Sequence, residues 1–309
     1  MTDLPHPNTL PESEAVPLSF IERKNIHPAL FALLSLVVIF VLYQIGGGVI
    51  TFFLLEGNKV TQNNVNPLRL FTMLGQVLLI FAPTLFLARL LSRRWQSVFP
   101  MRAPTWRETV SAIIALLSLQ RIFEVYIYLQ DSIPIPDFIK KLIDPIRQML
   151  EEMVKVLLQS NSILELCYVI VVVAFVPAIV EEFLFRGLVQ RSFDKAMSPL
   201  TSALLTGTIF GLFHLNPFEA IPLIGIGCFL GYLRFRSSSM VLPMLMHFLN
   251  NLLAVIAVTL KVGDEKIIIA PTTDQPGVIV VLLQLIIFTA LFVASLRFYR
   301  RSTEGLMRA

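Results

Sequence analysis

Long apolar runs separated by short polar, often arginine-bearing stretches dominate the chain. Eight of them predict helices, near residues 29–54, 68–91, 107–129, 163–190, 199–216, 218–234, 238–260 and 278–298. A helix rises about 1.5 Å per residue and a bilayer's hydrocarbon core is about 30 Å thick, so roughly 20 apolar residues make one crossing. The fifth and sixth runs are the weakest and are parted only by a turn around Asn216 and Pro217. The stretch from Asp131 to Ser160 has a different pattern. Phe138, Leu142, Ile146, Met149, Leu150 and Met153 recur there at helical spacing among charged residues, which predicts an amphipathic helix on the membrane surface.

The expected architecture is all-α, a polytopic membrane helical bundle of about eight transmembrane helices. It divides into a polar tail at 1–27, three spans with the amphipathic segment at 28–160, a four-span core at 161–262, and a final span with a basic tail at 263–309. Composition agrees with a membrane protein: mean hydropathy is +0.74, and 55% hydrophobic with only 15% charged residues departs from soluble globular chains. Lys and Arg resist translocation and stay cytoplasmic. They gather between spans two and three (Arg93, Arg94, Arg102, Arg107), after span six (Arg234, Arg236) and after span eight (Arg300, Arg301), so both termini are expected to be cytoplasmic. The first 27 residues hold no long apolar run and are expected to be a polar tail, not a cleavable signal peptide. A net charge of +4 follows from the basic cytoplasmic bias and gives no reason to invoke nucleic acid. The two cysteines, Cys167 and Cys228, lack CxxC or CxxH spacing, and no phosphate-binding glycine loop, GxSxG or HExxH pattern occurs.

Candidate chemistry rests on six polar residues at membrane depth: Glu181, Glu182, Arg186, His214, His247 and Asn251. An ionisable side chain there costs roughly 2.5–3.5 kcal/mol even on lenient insertion scales. Glu182 and Arg186 are four apart with the acid N-terminal, the better order for a helical ion pair. Glu181 is turned about 100° away and needs another partner or a water-filled cavity. His247 and Asn251 share a helix face, and Asn250 lies close to it. The blander alternatives are snorkelling of the glutamates and arginine to a helix end, and His and Asn acting as polar glue between helices. Counting residues from the basic ends puts Glu181 and His247 both roughly 15 Å deep, but His214 beyond 20 Å, so span five must tilt or start later than drawn. Arg121 and Glu124 in span three read as a structural ion pair.

The patterns EExxxR at Glu181 to Arg186, FxxxH at Phe210 to His214 and HxxxN at His247 to Asn251 resemble the three motifs of the CPBP intramembrane proteases. These are the type II CAAX prenyl endopeptidases and their bacteriocin-processing relatives, also called the Abi group. The surrounding Phe185-Arg186-Gly187, Phe210-Gly211-Leu212-Phe213-His214-Leu215 and Leu242-Pro243 are similar too, and the likeness covers roughly residues 165 to 260. It implies an eight-helix endopeptidase, with 161–262 as catalytic core and Glu181, His214, His247 and Asn251 around a water. Glu181 would be the general base, helped by His214. His247 and Asn251 would donate to the developing oxyanion, and Glu182 with Arg186 would support them. The resemblance leaves the metal open. Glu181, His214 and His247 could supply two imidazoles and a carboxylate to Zn2+, in which case Glu182 becomes the candidate base, or the same residues activate water directly.

The implied partner is a membrane-embedded or lipid-associated peptide or protein substrate, together with the bilayer itself, and the likeness is to bacterial members. Phe183, Phe185, Phe210, Phe213 and Phe248 would line its cavity, with ordinary helix packing as the equal alternative for each. Two rival classes stay open at this stage. One is a non-catalytic scaffold or bacteriocin-immunity protein; the other is an ion-coupled transporter, hinted at only by Gly46, Gly47 and Gly48.

Overall fold

The computed structural model describes residues 18–54, 64–260 and 277–307, and every regular element among them is helical. Most of the expected polar tail (1–17), the segment 261–276 and the last two residues of the basic tail lie outside the described residues. In chain order the helices are α1 (Phe20–Arg23), α2 (Pro28–Ile50), α3 (Val65–Leu91), α4 (Trp95–Val98), α5 (Trp106–Asp131) and α6 (Asp137–Leu158). There follow α7 (Ile163–Asp194), α8 (Pro199–Phe213), α9 (Ala220–Ser237), α10 (Val241–Thr259) and α11 (Val278–Ser302). The expected membrane helical bundle is present, but not eight equal spans: six helices, α2, α3, α5, α7, α10 and α11, are long and apolar enough to cross a membrane. The fifth run is a helix of only 15 residues, and the sixth ends in Arg234 and Arg236. Together α8 and α9 form a hairpin packed against the bundle, with Leu200, Leu204 and Leu212 of α8 on its outer side.

The helix starts are written locally. Thr105 caps α5 in a reciprocal box with Glu108, and Ser162 and Ser198 accept backbone N–H groups at the starts of α7 and α8. These caps satisfy donors that the first turn of any helix leaves free. Inside α3 and α7 the backbone widens to π-type turns over Gln76–Phe81 and Ile170–Phe175, just ahead of Pro83 and Pro177. Proline removes an N–H and crowds the carbonyl four residues back, so the wide turn absorbs a residue that would otherwise break a buried helix. A further wide stretch, Phe183–Val189, directly follows the paired glutamates.

The α8–α9 hairpin is tight because its contact is made of small residues. A Cβ on Gly207 would collide with the Cys228 backbone nitrogen, one on Gly227 with the Gly207 carbonyl, and one on Gly231 with the Ala203 carbonyl. Small residues at four-residue spacing let membrane helices approach backbone to backbone. One apolar core joins α2, α3 and α4 to α7 and α8, and a second joins α5 and α11 to α9 and α10. Phe210 of the first core and Met246 of the second flank the candidate residues His214 and His247 in the chain.

The expected surface helix is α6, and its apolar side is open: Phe138 and Leu142 are 74% and 71% exposed. Its last turn is clamped by Arg69, wholly buried, which donates to the carbonyls of Val156, Leu157 and Gln159 and pairs with Glu165 at 2.8 Å. Arg147 ties its middle to Asp131 at 2.8 Å. Arg121 and Glu124 form the expected ion pair, 2.7 Å apart.

Candidate active site

Three helices bring Glu181 (α7), His214 (the residue closing α8) and His247 (α10) together. Glu181 Oε2 lies 3.9 Å from His214 Nε2 and 3.9 Å from His247 Nε2. That oxygen is buried and has no hydrogen-bond partner. Both imidazoles are fixed from behind. His214 Nδ1 donates to the Phe210 carbonyl at 2.8 Å, and His247 Nδ1 donates to Glu182 Oε1 at 3.0 Å. With a proton on each Nδ1, the two Nε2 atoms are the ones turned to Glu181.

The helix levels now agree. α7 runs beyond its expected end to Asp194, which puts Glu181 about 20 Å from that end, close to the 22 Å or so that α8 climbs from Pro199 to His214. α10 starts deeper than the sequence count assumed: Met240, just before it, has its Sδ 3.5 Å from where a Cβ on Gly187 would stand. From that level Glu181 lies about 9 Å and His247 about 10 Å along their helices.

Below this cluster Glu182 and Arg186 form a wholly buried ion pair at 3.1 Å. The charges are in contact, but the Arg186 Nε–H is off-line for a hydrogen bond to Glu182 Oε2. Arg186 also donates to the Gly227 carbonyl at 3.2 Å and sits 4.8 Å from the centre of the Phe210 ring. One turn further, Gln190 donates to the Gly231 carbonyl at 3.1 Å. The glycines that draw α9 against α8 thus also leave carbonyls bare for α7. Glu182 links the two layers, since the carboxylate that pairs with Arg186 also orients His247.

Asn251 lies one turn along α10 from His247, and among the described residues its hydrogen bonds go elsewhere than to the glutamates and histidines. Its Nδ2 donates to the Val173 carbonyl at 3.2 Å, and its Oδ1 accepts from Asn250 Nδ2 at 3.2 Å. Asn250 in turn accepts from Gln120 Nε2 of α5 at 3.2 Å. This amide relay from Gln120 was missed at the level of motifs. Its signal was a lone Gln inside an apolar span. Asn251 keeps a second N–H beyond the one given to Val173.

The aromatic lining expected of the cavity is largely packing. Phe183 packs edge-on against Phe81 and tilted against Phe99, Phe185 packs edge-on against Phe210 and Phe213, and Phe210 wedges between Arg186, His214 and His247. Phe185 and Phe210 are sealed in the core, whereas Phe213 and Phe248 are half-buried. Rings are spent on the core because α7 and α8 need apolar volume where they cross. Outside the spans, at the turn before α9, burial and the neighbouring Glu151 push the Glu219 carboxyl up.

Residues 163–253 match the family model described as type II CAAX prenyl endopeptidase, Rce1-like. The match spans less than a third of the chain, and over that stretch the chain is similar to the CPBP family of intramembrane proteases. The matched stretch carries Glu181, His214, His247 and Asn251, and it leaves α2, α3, α5, α6 and α11 outside. No curated protein and no solved structure matches the chain.

Zinc was the cofactor the donor types allowed. A tetrahedral ion bound at about 2.0–2.2 Å would hold its nitrogen and oxygen ligands about 3.4 Å apart. The Glu181 pairs to His214 and His247 are wider, at 3.9 Å. Among the described residues no group of three His, Cys, Asp or Glu side chains is placed to hold a metal ion. As placed, the three side chains do not close on zinc.

Proposed function

We propose that the protein is an intramembrane endopeptidase that hydrolyses peptide bonds of membrane-embedded or lipid-associated peptides or proteins, using water activated by Glu181. The observation that carries this reading is the Glu181 Oε2 atom, buried, without a partner, and equidistant from two oriented imidazoles. A gap of that length between polar atoms suits a bridging water better than a direct hydrogen bond.

The chemistry follows from the positions. Glu181 takes a proton from the water, whose oxygen attacks the scissile carbonyl carbon. The carbonyl oxygen becomes an oxyanion, which needs donors held in place before the reaction. The free N–H of Asn251 is one. His247 supplies a second when its Nε2 carries a proton, with the Glu182 carboxylate behind it at Nδ1. His214 orients the water. Collapse breaks the C–N bond, and the proton held by Glu181 passes to the leaving amine. Glu182 and Arg186 act by fixing His247.

The test is hydrolysis of lipidated and unlipidated peptides by the purified, detergent-solubilised protein beside Glu181→Gln, with bound zinc quantified. Cleavage that disappears in the variant supports the reading, and the peptides cut give the substrate class. A well-folded protein that cleaves none of them points to a scaffold or immunity role. Stoichiometric zinc, with activity lost on chelation and restored by zinc, would replace the direct water mechanism with a metal one.

A further inference from the structure

A helix end leaves its last carbonyls without intrahelical partners, and at membrane depth each must find one. At the end of α8 these are the carbonyls of Phe210, Gly211, Leu212 and Phe213. Three are met locally. His214 bonds the Phe210 carbonyl through Nδ1 at 2.8 Å, its backbone N–H reaches the Gly211 carbonyl at 3.4 Å, and the Leu215 N–H reaches the Leu212 carbonyl at 3.2 Å. Leu215 closes the turn in the left-handed region, with a φ of 54°. The fourth carbonyl is met from another helix: Gln44 of α2 donates from Nε2 to the Phe213 carbonyl at 2.8 Å.

Phe213 is gripped twice by α2. Phe40, one turn before Gln44, packs edge-on against the Phe213 ring with centroids 5.4 Å apart. Positions four apart share a helix face, so ring and carbonyl are held from one side. Gln44 is the one amide side chain of α2 and lies in a wide stretch, Val41–Gly47, that has no proline following it, unlike those ahead of Pro83 and Pro177. Such π-type turns recur at functional sites. The neighbouring Tyr43 packs its ring 3.6 Å from where a Cβ on Gly75 would stand, and its hydroxyl is within electrostatic reach of Glu181 and of the buried Gln76. Thus α2 meets the site beside His214 and beside Glu181, although it lies outside the matched stretch 163–253.

We propose that Gln44 is a positioning residue of the site: by holding the Phe213 carbonyl from α2 it fixes the backbone that carries His214, and with it the imidazole turned to Glu181. The effect on turnover rests on the peptidase reading above; the fixing of His214 does not.

The test compares wild type, Gln44→Met, which removes the donor at similar length, and Gln44→His, whose Nε2–H reaches about as far as the lost amide. Diethyl pyrocarbonate is applied at one pH to the purified, detergent-solubilised protein, and carbethoxylation of each histidine is followed by peptide mass spectrometry beside peptide turnover. In Gln44→Met, His214 should be modified several-fold faster while His247 keeps its wild-type rate. Misplacing a group near the reaction costs up to about 10²-fold, so kcat should fall by about ten- to a hundredfold with KM little changed. Gln44→His should restore both readouts. An unchanged His214 rate in folded Gln44→Met overturns the proposal. So does equal acceleration at His247, the mark of general loosening, and so does full kcat beside a faster His214, which would leave Gln44 a helix cap alone. Should Gln44→Met fail to fold, Phe40→Leu frees Phe213 at its ring and should speed His214 in the same selective way; an unchanged rate there also overturns it. Turnover retained in Glu181→Gln would defeat the peptidase reading and leave the modification rates unchanged.

Discussion

Glu181 and Glu182 are neighbours in the chain but belong to two differently built layers. Glu182 is completely buried, paired with Arg186 and bonded to His247, whereas the Glu181 side chain is 17% exposed and its inner oxygen has no partner. A rotation of about 100° along one helix separates a carboxylate that holds structure from one left free to react. Two adjacent carboxylates therefore call for opposite expectations. Charge buried with its counter-charge stabilises the fold only as a pair, while on the proposed reading the poised oxygen of Glu181 should be dispensable to the fold and needed for turnover.

The largest contrast is expected at the reactive layer. Glu181→Gln should lower turnover by about 10²–10⁴-fold, the usual contribution of a general base, while folded yield and Tm in detergent hold. Arg186→Met should act on the other layer: an unpaired buried carboxylate costs about 3–5 kcal/mol, read as a large loss of Tm and of monodisperse protein. Adding Glu182→Gln to it should recover part of that loss.

Smaller effects sharpen the boundary between the layers. Gly207→Val would force α8 from α9, with an overpacking cost of about 1–3 kcal/mol, and it should draw the Gly227 carbonyl away from Arg186. Thermal unfolding of the variant measures it. Gln120→Leu should be the mildest, near the average of about 0.6 kcal/mol for a polar contact between membrane helices. Its effect should fall on turnover, through Asn251, more than on Tm.

Much of this site was legible in the sequence because its signals are local. Carboxylate, imidazole and amide at three- and four-residue spacings inside apolar runs reveal which residues share a helix face, and polar groups at that depth are costly enough to stand out. The pairing of Glu182 with Arg186 and the exclusion of Glu181 from it came from spacing alone. What escaped was non-local. The start of α10 beside Gly187, the carbonyls of Gly227 and Gly231 offered to α7, and the relay from Gln120 depend on how helices distant in sequence pack. The two weakest runs, 199–216 and 218–234, show the same limit. Hydropathy marked their positions, but their close packing depends on glycines facing backbone, which no periodicity of apolar residues reports.

The most direct measurement is peptide turnover per folded molecule for Glu181→Gln and Glu182→Gln side by side, with the folded fraction taken from size-exclusion chromatography of each. The account predicts that Glu181→Gln stays folded and loses turnover, whereas Glu182→Gln loses folded protein as well as turnover. Full turnover in folded Glu181→Gln would contradict it.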